Sequence, residues 1–279
     1  MPIHDQGYRR YSGSRAAVGR GWMVIARAGI RTMFAKRAFL GLLLLAWLPF
    51  LVRAVQFYFA ANLPQAQLLA PTAETFRQFL DQQEIFVFFV TVYVGAGLIA
   101  NDRRANALQI YLSKPLSRVE YVFGKLAILM AFLLLVTWVP AIALLLVQMA
   151  FAGNVSFLAR NVFLFPAITV FSFLEVIMVS ATMLALSSLS NSSRYVGIMY
   201  AAVMSFSGAV YGVLFLATRS TALSWVSFTA NLTQIGNLIF RLPPKYDTPW
   251  PLSLGVIVAI VVISGVVLDR RVRGVEVVA

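Results

Sequence analysis

The stretch "SKPLSRVEYVFGK", residues 113–125, holds Lys114, Pro115, Arg118, Glu120 and Lys125 between two long apolar runs. Ser117 followed three residues later by Glu120 is an S-x-x-E capping box. In that box the serine hydroxyl accepts from the Glu120 amide, and the Glu120 carboxylate accepts from the Ser117 amide. Pro115 has no N–H to give a preceding helix, so the chain breaks there. A helix therefore starts at Ser117 and feeds straight into the apolar run Gly124–Met149. Crossing hydrocarbon takes about 20 mostly apolar residues, and this run is long enough. A polar helix start leading directly into lipid-soluble helix sets the class as a bundle of membrane-spanning helices.

Composition agrees. The chain has 279 residues, 60% hydrophobic and 12% charged, with a mean hydropathy of +0.82. Soluble domains run to roughly half apolar and about a quarter charged, so this chain lacks the charged surface a soluble domain needs. It has no cysteine, which excludes disulfides, thiolate metal sites and cysteine nucleophiles.

Six spans are expected, at Ala38–Ala60, Ile85–Ala100, Gly124–Met149, Val162–Leu186, Tyr195–Ala217 and Trp250–Leu268. The second is short as an apolar run. It extends backwards as one helix to Thr72, which follows Pro71 and suits an N-cap. Pro49, Pro140 and Pro166 lie in or near spans, where kinks are tolerated. The fold class is all-α: residues 1–37 form an N-terminal segment, 38–268 a single six-span domain, and 269–279 a tail.

Lys and Arg placement sets the orientation. Arg9, Arg10, Arg15, Arg20, Arg27, Arg31, Lys36 and Arg37 precede the first span. Arg103, Arg104, Lys114, Arg118 and Lys125 fill the second-to-third connection, Arg194 the fourth-to-fifth, and Arg270, Arg271 and Arg273 follow the last span. The positive-inside rule puts all of these, and both termini, in the cytoplasm. The net charge of +13 is mostly this bias plus attraction to anionic lipid headgroups, with no soluble basic domain to hold nucleic acid. The first apolar run is too long for a signal-peptide core, so no cleaved leader is expected.

Three shorter segments have their own patterns. Arg20, Arg27 and Arg31 share one stripe of a helix, with Trp22, Ala26, Ile30 and Met33 opposite. That amphipathic helix suits the membrane interface, either as a plain anchor or as a lever between a cytoplasmic partner and the first span. Residues 106–112 make about two turns of helix whose Leu108, Ile110, Tyr111 and Leu112 are too apolar to stand in water. They occupy either a partner's groove or this chain's own helix ends. Residues 219–249 hold Ser224-Trp225-Val226, Leu238-Ile239-Phe240 and Pro243-Pro244, which fits either a re-entrant hairpin or a loop packed on helix ends.

The run Gly97–Lys125, "GLIANDRRANALQIYLSKPLSRVEYVFGK", resembles the cytoplasmic connection of type 2 ABC exporter permeases. The shared features are the charged turn Asp102-Arg103-Arg104, the leucine-rich helix Ala107–Leu112, the segment Ser113–Arg118 and the pair Gly124-Lys125. Asn106 stands where that family often has Gly, and Asp102 where Glu is common. The resemblance implies that Ala107–Leu112 is a coupling helix seated in an ATPase cleft, with Asp102, Arg103, Arg104, Lys114 and Arg118 around it. It implies that Arg20–Lys36 is a connecting helix. It also implies two separate ATPase subunits carrying ATP and Mg, a second permease copy or a related permease, and a plasma (bacterial inner) membrane setting. The sequence agrees that no nucleotide cofactor sits on this chain, because no G-x-x-x-x-G-K-[ST] phosphate loop occurs. In that family the first, second and fifth spans wall a cavity between copies, which here implies Phe57, Val92, Phe206 and Tyr211. These are large and apolar, so an amphipathic or lipid-linked substrate is expected.

Two intramembrane charges stand out. Glu175 lies near the middle of the fourth run, where ionisable residues mark a bundle interior or a water cavity. It makes a structural hydrogen bond, lines a translocation path or relays protons. Arg53, in the outer half of the first span, snorkels outward or approaches Glu175. Gly208 and Gly212 form a G-x-x-x-G that permits close helix approach, inside one chain or between two. The only histidine is His4, and no catalytic motif occurs. The leading expectation is the membrane subunit of an ATP-driven exporter. The alternatives are an ATP-independent secondary transporter or channel using Glu175, and an intramembrane enzyme or assembly scaffold.

Overall fold

The computed structural model describes residues 21–63, 70–107, 116–152 and 162–272. All regular structure among them is helical. Six segments are long and apolar enough to cross a membrane: Arg37–Asn62, Ala73–Arg104, Arg118–Phe151, Leu164–Leu189, Ser193–Thr218 and Trp250–Arg271. They overlie the six expected runs and extend them at the ends.

The first three segments are composite, and their irregularities have identifiable causes. The first consists of α2 (Arg37–Ala46) and α3 (Leu48–Asn62), broken at Trp47, two residues before Pro49. Proline cannot supply the i−4 hydrogen bond. At the break Trp47 N donates to the Leu44 and Leu45 carbonyls, and the Ala46 carbonyl accepts from Gln83 Nε2 at 3.2 Å. The third consists of α6 (Arg118–Val136) and α7 (Trp138–Ala152), broken at Thr137, three residues before Pro140. Pro166 falls in the first turn of α8 (Leu164–Leu189), where backbone amides have no intrahelical partner in any case.

The second segment does begin after Thr72, whose hydroxyl accepts from Thr75 N while Thr75 Oγ1 accepts from Thr72 N. α4 (Ala73–Val90) passes through a π turn, Thr91–Gly95, into α5 (Gly97–Arg104). The wider turn disturbs the backbone ladder, and Ser187 from α8 repairs it. The Ser187 hydroxyl accepts from Ile99 N at 3.1 Å and Ala100 N at 3.0 Å, and donates to the Ala96 carbonyl at 2.9 Å.

α8 is the central element. Of its most apolar 18-residue stretch 61% is buried, against 6% for α9 (Ser193–Thr218). α11 (Trp250–Arg271) packs along α8. Between the fifth and sixth segments, a short turn at Ser224–Val226 leads to α10 (Phe228–Ile239). Phe228, Leu232 and Ile235 are buried, and α10 packs on α8, α9 and α11. The loop thus folds into the bundle. Asn231 of the N-L-T tripeptide is 1% exposed, and its amide donates to the Trp225 and Ser227 carbonyls at 2.7 Å each.

The N-terminal helix α1 (Gly21–Phe34) departs from a free surface helix. It runs beside α6 with both chains advancing in step. Gly21 N donates to Glu120 Oε1 at 3.2 Å, Ile25 meets Gly124, Gly29 meets Ile128, and the Phe34 ring lies edge-on to Phe132 at 5.2 Å. Protein covers part of its apolar stripe, while Arg27 and Arg31 stay exposed. Arg20 lies outside the described residues. Gly124 makes this approach possible, since a Cβ there would sit 2.8 Å from Ile25 Cβ and 3.0 Å from the Trp22 carbonyl. Gly124→Leu is expected to push α1 off α6 and to cost about 1–3 kcal/mol, the usual range for overpacking. Thermal unfolding of the purified protein and protease cleavage within 21–34 measure this, with faster cleavage expected in the variant.

Candidate functional site

Two polar clusters lie toward the two ends of the second segment. The first sits where Asp102, Arg103, Arg104 and Arg118 gather. α5 stops because Asn106 adopts the left-handed conformation, with φ 51°. Asn and Gly are the residues that tolerate this region.

Asp102 is tied within the chain. Its Oδ2 accepts from Tyr121 OH at 2.7 Å and pairs with Lys125 Nζ at 2.7 Å. The Lys125 ammonium also lies 5.5 Å from the centre of the Tyr121 ring. Arg103 donates through Nη1 to the Ser188 carbonyl. Asp102 and Arg103, expected among coupling residues, thus serve as internal ties from α5 to α6 and α8. Arg104 and Arg118 remain exposed. The capping box is formed: Glu120 N donates to Ser117 Oγ at 3.1 Å, and Ser117 N to Glu120 Oε2 at 3.0 Å. Glu120 thereby holds α1 with one oxygen and caps α6 with the other. Leu108, Ile110, Tyr111, Leu112 and Lys114 lie outside the described residues.

Of the residues expected to wall an inter-copy cavity, Phe57 is corrected. Phe57 is 1% exposed and packs 5.8 Å from Phe76 inside this chain. Val92 packs at Gly197, and the Tyr211 ring meets Tyr246 at 5.9 Å. Phe206 is 71% exposed, Val92 and Tyr211 are half-buried, and intrachain packing encloses Phe57. Gly208 and Gly212 are not used that way: a Cβ on either would meet nothing within 4 Å. Neither glycine marks a close approach to another described element.

The second cluster lies toward the Ala73 end. Arg77, Asp81 and Glu84 stand at i, i+4 and i+7 on α4, one stripe of the helix. Arg77 is 2% exposed, pairs with Asp81 at 2.7 Å and lays its guanidinium over the Phe171 ring at 4.3 Å. Gly236 of α10 makes the room, since a Cβ there would lie 2.5 Å from Arg77 Nε. Glu175, on α8, is 1% exposed and its Oε2 has no hydrogen-bond partner. Glu175 and Glu84 line one cavity of about 420 Å³ together with Phe88, Tyr200 and Thr229.

Arg53 does not pair with Glu175. Its Nη1 donates to Gln56 Oε1 at 2.8 Å and its Nε to Gln82 Oε1 at 3.4 Å. The buried arginine is Arg77, to which the sequence reading gave no role. Its signal was the 77/81/84 spacing, which puts three charged residues on one stripe of a helix that carries an apolar span. Among the described residues no group of three or more His, Cys, Asp or Glu side chains is placed to hold a metal ion. No protein-family model and no curated protein matches the chain.

Removing one partner of a buried ion pair leaves the other charge uncompensated, at a cost of about 3–5 kcal/mol. Asp102→Ala is expected to destabilise the protein by an amount in that range, and Lys125→Met together with Asp102→Ala by less than Asp102→Ala alone. Denaturation of the unmodified protein, Asp102→Ala, Lys125→Met and the double variant in mild detergent provides the comparison. Simple addition of the two single effects would show that the pair is not coupled.

Proposed function

We propose that this chain is the permease subunit of an ATP-driven transporter of the type 2 ABC exporter class, worked by ATPase subunits on separate chains. The reading rests on one observation. Residues 105–117 are framed on both sides by helices tied together at a single junction. Asp102 holds α6 through Lys125 and Tyr121, Arg103 holds α8, and Glu120 holds α1. A force applied to the segment between Asn106 and Ser117 reaches α1, α5, α6 and α8 together. That is the mechanical requirement for a coupling element that converts closure of a cytoplasmic ATPase pair into movement of spans.

In this reading α1 is the connecting helix, with its exposed Arg27 and Arg31 turned toward anionic headgroups or the ATPase surface. Both termini lie in the cytoplasm of a bacterial inner membrane, by the positive-inside bias. The segment at Ser224–Ile239 is the re-entrant hairpin. The uncovered face of α9 at Gly208 and Gly212 meets a second copy or a related permease. Exposed small-xxx-small pairs let two backbones approach closely. A second reading, ATP-independent transport, is favoured by one feature, the two carboxylates on a single cavity.

Leu108→Asp combined with Tyr111→Asp separates the two readings. The double variant is expected to insert normally and to lose co-purification of a soluble ATPase encoded beside it. Full recovery of the ATPase with the variant would remove the coupling assignment. Gly208→Leu with Gly212→Leu is expected to reduce inter-copy crosslinking and transport together while the single chain stays folded. Crosslinking at the unmodified level would place the copy interface elsewhere.

A further inference from the structure

The cavity between α4, α8, α9 and α10 combines features that together specify a ligand. Its size, about 420 Å³, lies within the range of small-molecule sites, roughly 300–1,000 Å³. Its walls are apolar and aromatic: Phe88 and Tyr200 stack with centroids 5.7 Å apart and an interplanar angle of 27°. The charged groups lining it, Glu84 and Glu175, are both acidic.

Among the described residues no cationic side chain lines the cavity, and Arg77 acts on the two carboxyls from outside it. Arg77 is committed to Asp81 and to the Phe171 ring. Lys245 interacts electrostatically with Asp81 and Glu84, but it is exposed on the loop after α10, where solvent screens it. Glu175 Oε2 is buried without a partner. A buried carboxyl oxygen without a partner either holds a proton or is completed by a ligand.

We propose that this cavity binds an ammonium group carried on an apolar body. The ammonium sits between Glu175 and Glu84, and the Phe88 and Tyr200 faces add cation–π attraction. The apolar body lies along Val179, Met204 and Leu232. A divalent metal ion is disfavoured, because only two carboxylates reach the cavity and hard cations take six or more oxygen ligands. The rim points to the entry route. Ile85 and Phe89 border the cavity and are 58% and 50% exposed, so an amphiphile can enter sideways from an apolar medium. The ammonium has two sources, a free organic cation or the amine of a lipid headgroup. As a transport site the cavity rests on the permease reading; as a binding site it does not.

The test uses the full chain, purified alone in dodecyl maltoside, which carries no amine. Calorimetry compares 4-phenylbutylamine with 4-phenylbutanol, which has a closely similar shape but no charge. The amine is expected to bind about tenfold more tightly or better, as a charge-assisted contact of ~1.5 kcal/mol or more requires. Glu175→Gln keeps the side-chain shape and removes the charge. It is expected to erase the preference for amine over alcohol while the circular dichroism spectrum is retained. Phe88→Leu is expected to weaken amine binding by a smaller factor. Adding phosphatidylethanolamine to the micelles distinguishes the sources: competition assigns the headgroup amine, and its absence assigns a free cation, each with an ammonium in the cavity. Equal affinity for amine and alcohol, or an undiminished preference in Glu175→Gln, overturns the proposal. Because no ATPase is present, failure here leaves the permease reading standing, and loss of ATPase docking leaves this site standing.

Discussion

The Asp102 carboxylate is the contact on which the arrangement of this bundle depends. One oxygen gathers a tyrosine hydroxyl and a lysine ammonium from α6, fixing the end of the second segment against the start of the third. An ion pair in so dry a place gives little net stability over a well-packed apolar contact. Its effect is geometric: only one relative position of α5 and α6 satisfies all three groups. That position sets where Glu120 stands, and Glu120 in turn receives Gly21 N from α1.

Glycine divides the molecule into closed and open faces. At Gly124, Gly29, Gly95 and Gly236 a Cβ would lie under 3 Å from a neighbouring side chain, so these mark places where elements are pressed together. Gly208, Gly212, Gly255 and Gly265 meet nothing. The first group lies around α6, α8 and α10; the second lies on α9 and α11. Burial follows the same line, with α8 enclosed and α9 open. A helix with so little of its apolar surface covered needs lipid or another protein against it.

The polar stripe of α4 poses a different physical problem. Arg77 would be costly to bury alone, and Asp81 with the Phe171 ring offsets that cost. Glu84 and Glu175 lack the same compensation, and they are the residues that reach a cavity. The π turn at Thr91–Gly95 follows within two turns of Phe88. Such turns often sit at functional positions, and here Ser187 stabilises it from α8. The cavity and the Asp102 junction are thus connected through a single irregular helix.

Local sequence determined the helices themselves. Apolar run length located all six spanning segments. Thr72 and the Ser117–Glu120 box marked two starts, because capping is satisfied within four residues. Pro49 and Pro140 placed two breaks, because a missing N–H is a local fact. What the sequence could not supply was which faces meet. Phe57 and Phe206 are both large apolar residues in apolar runs, yet one is enclosed and the other bare. Glu175 was recognised as anomalous, but its companion is Glu84 on another helix, and Arg53 turns to glutamines instead. Asp102 and Arg103 read as part of a charged turn, and their ties to α6 and α8 were not legible. In a chain this apolar, hydrophobicity no longer separates inside from outside. Side-chain shape, glycine clearances and the few polar partners decide the packing, and those act only once the helices are side by side.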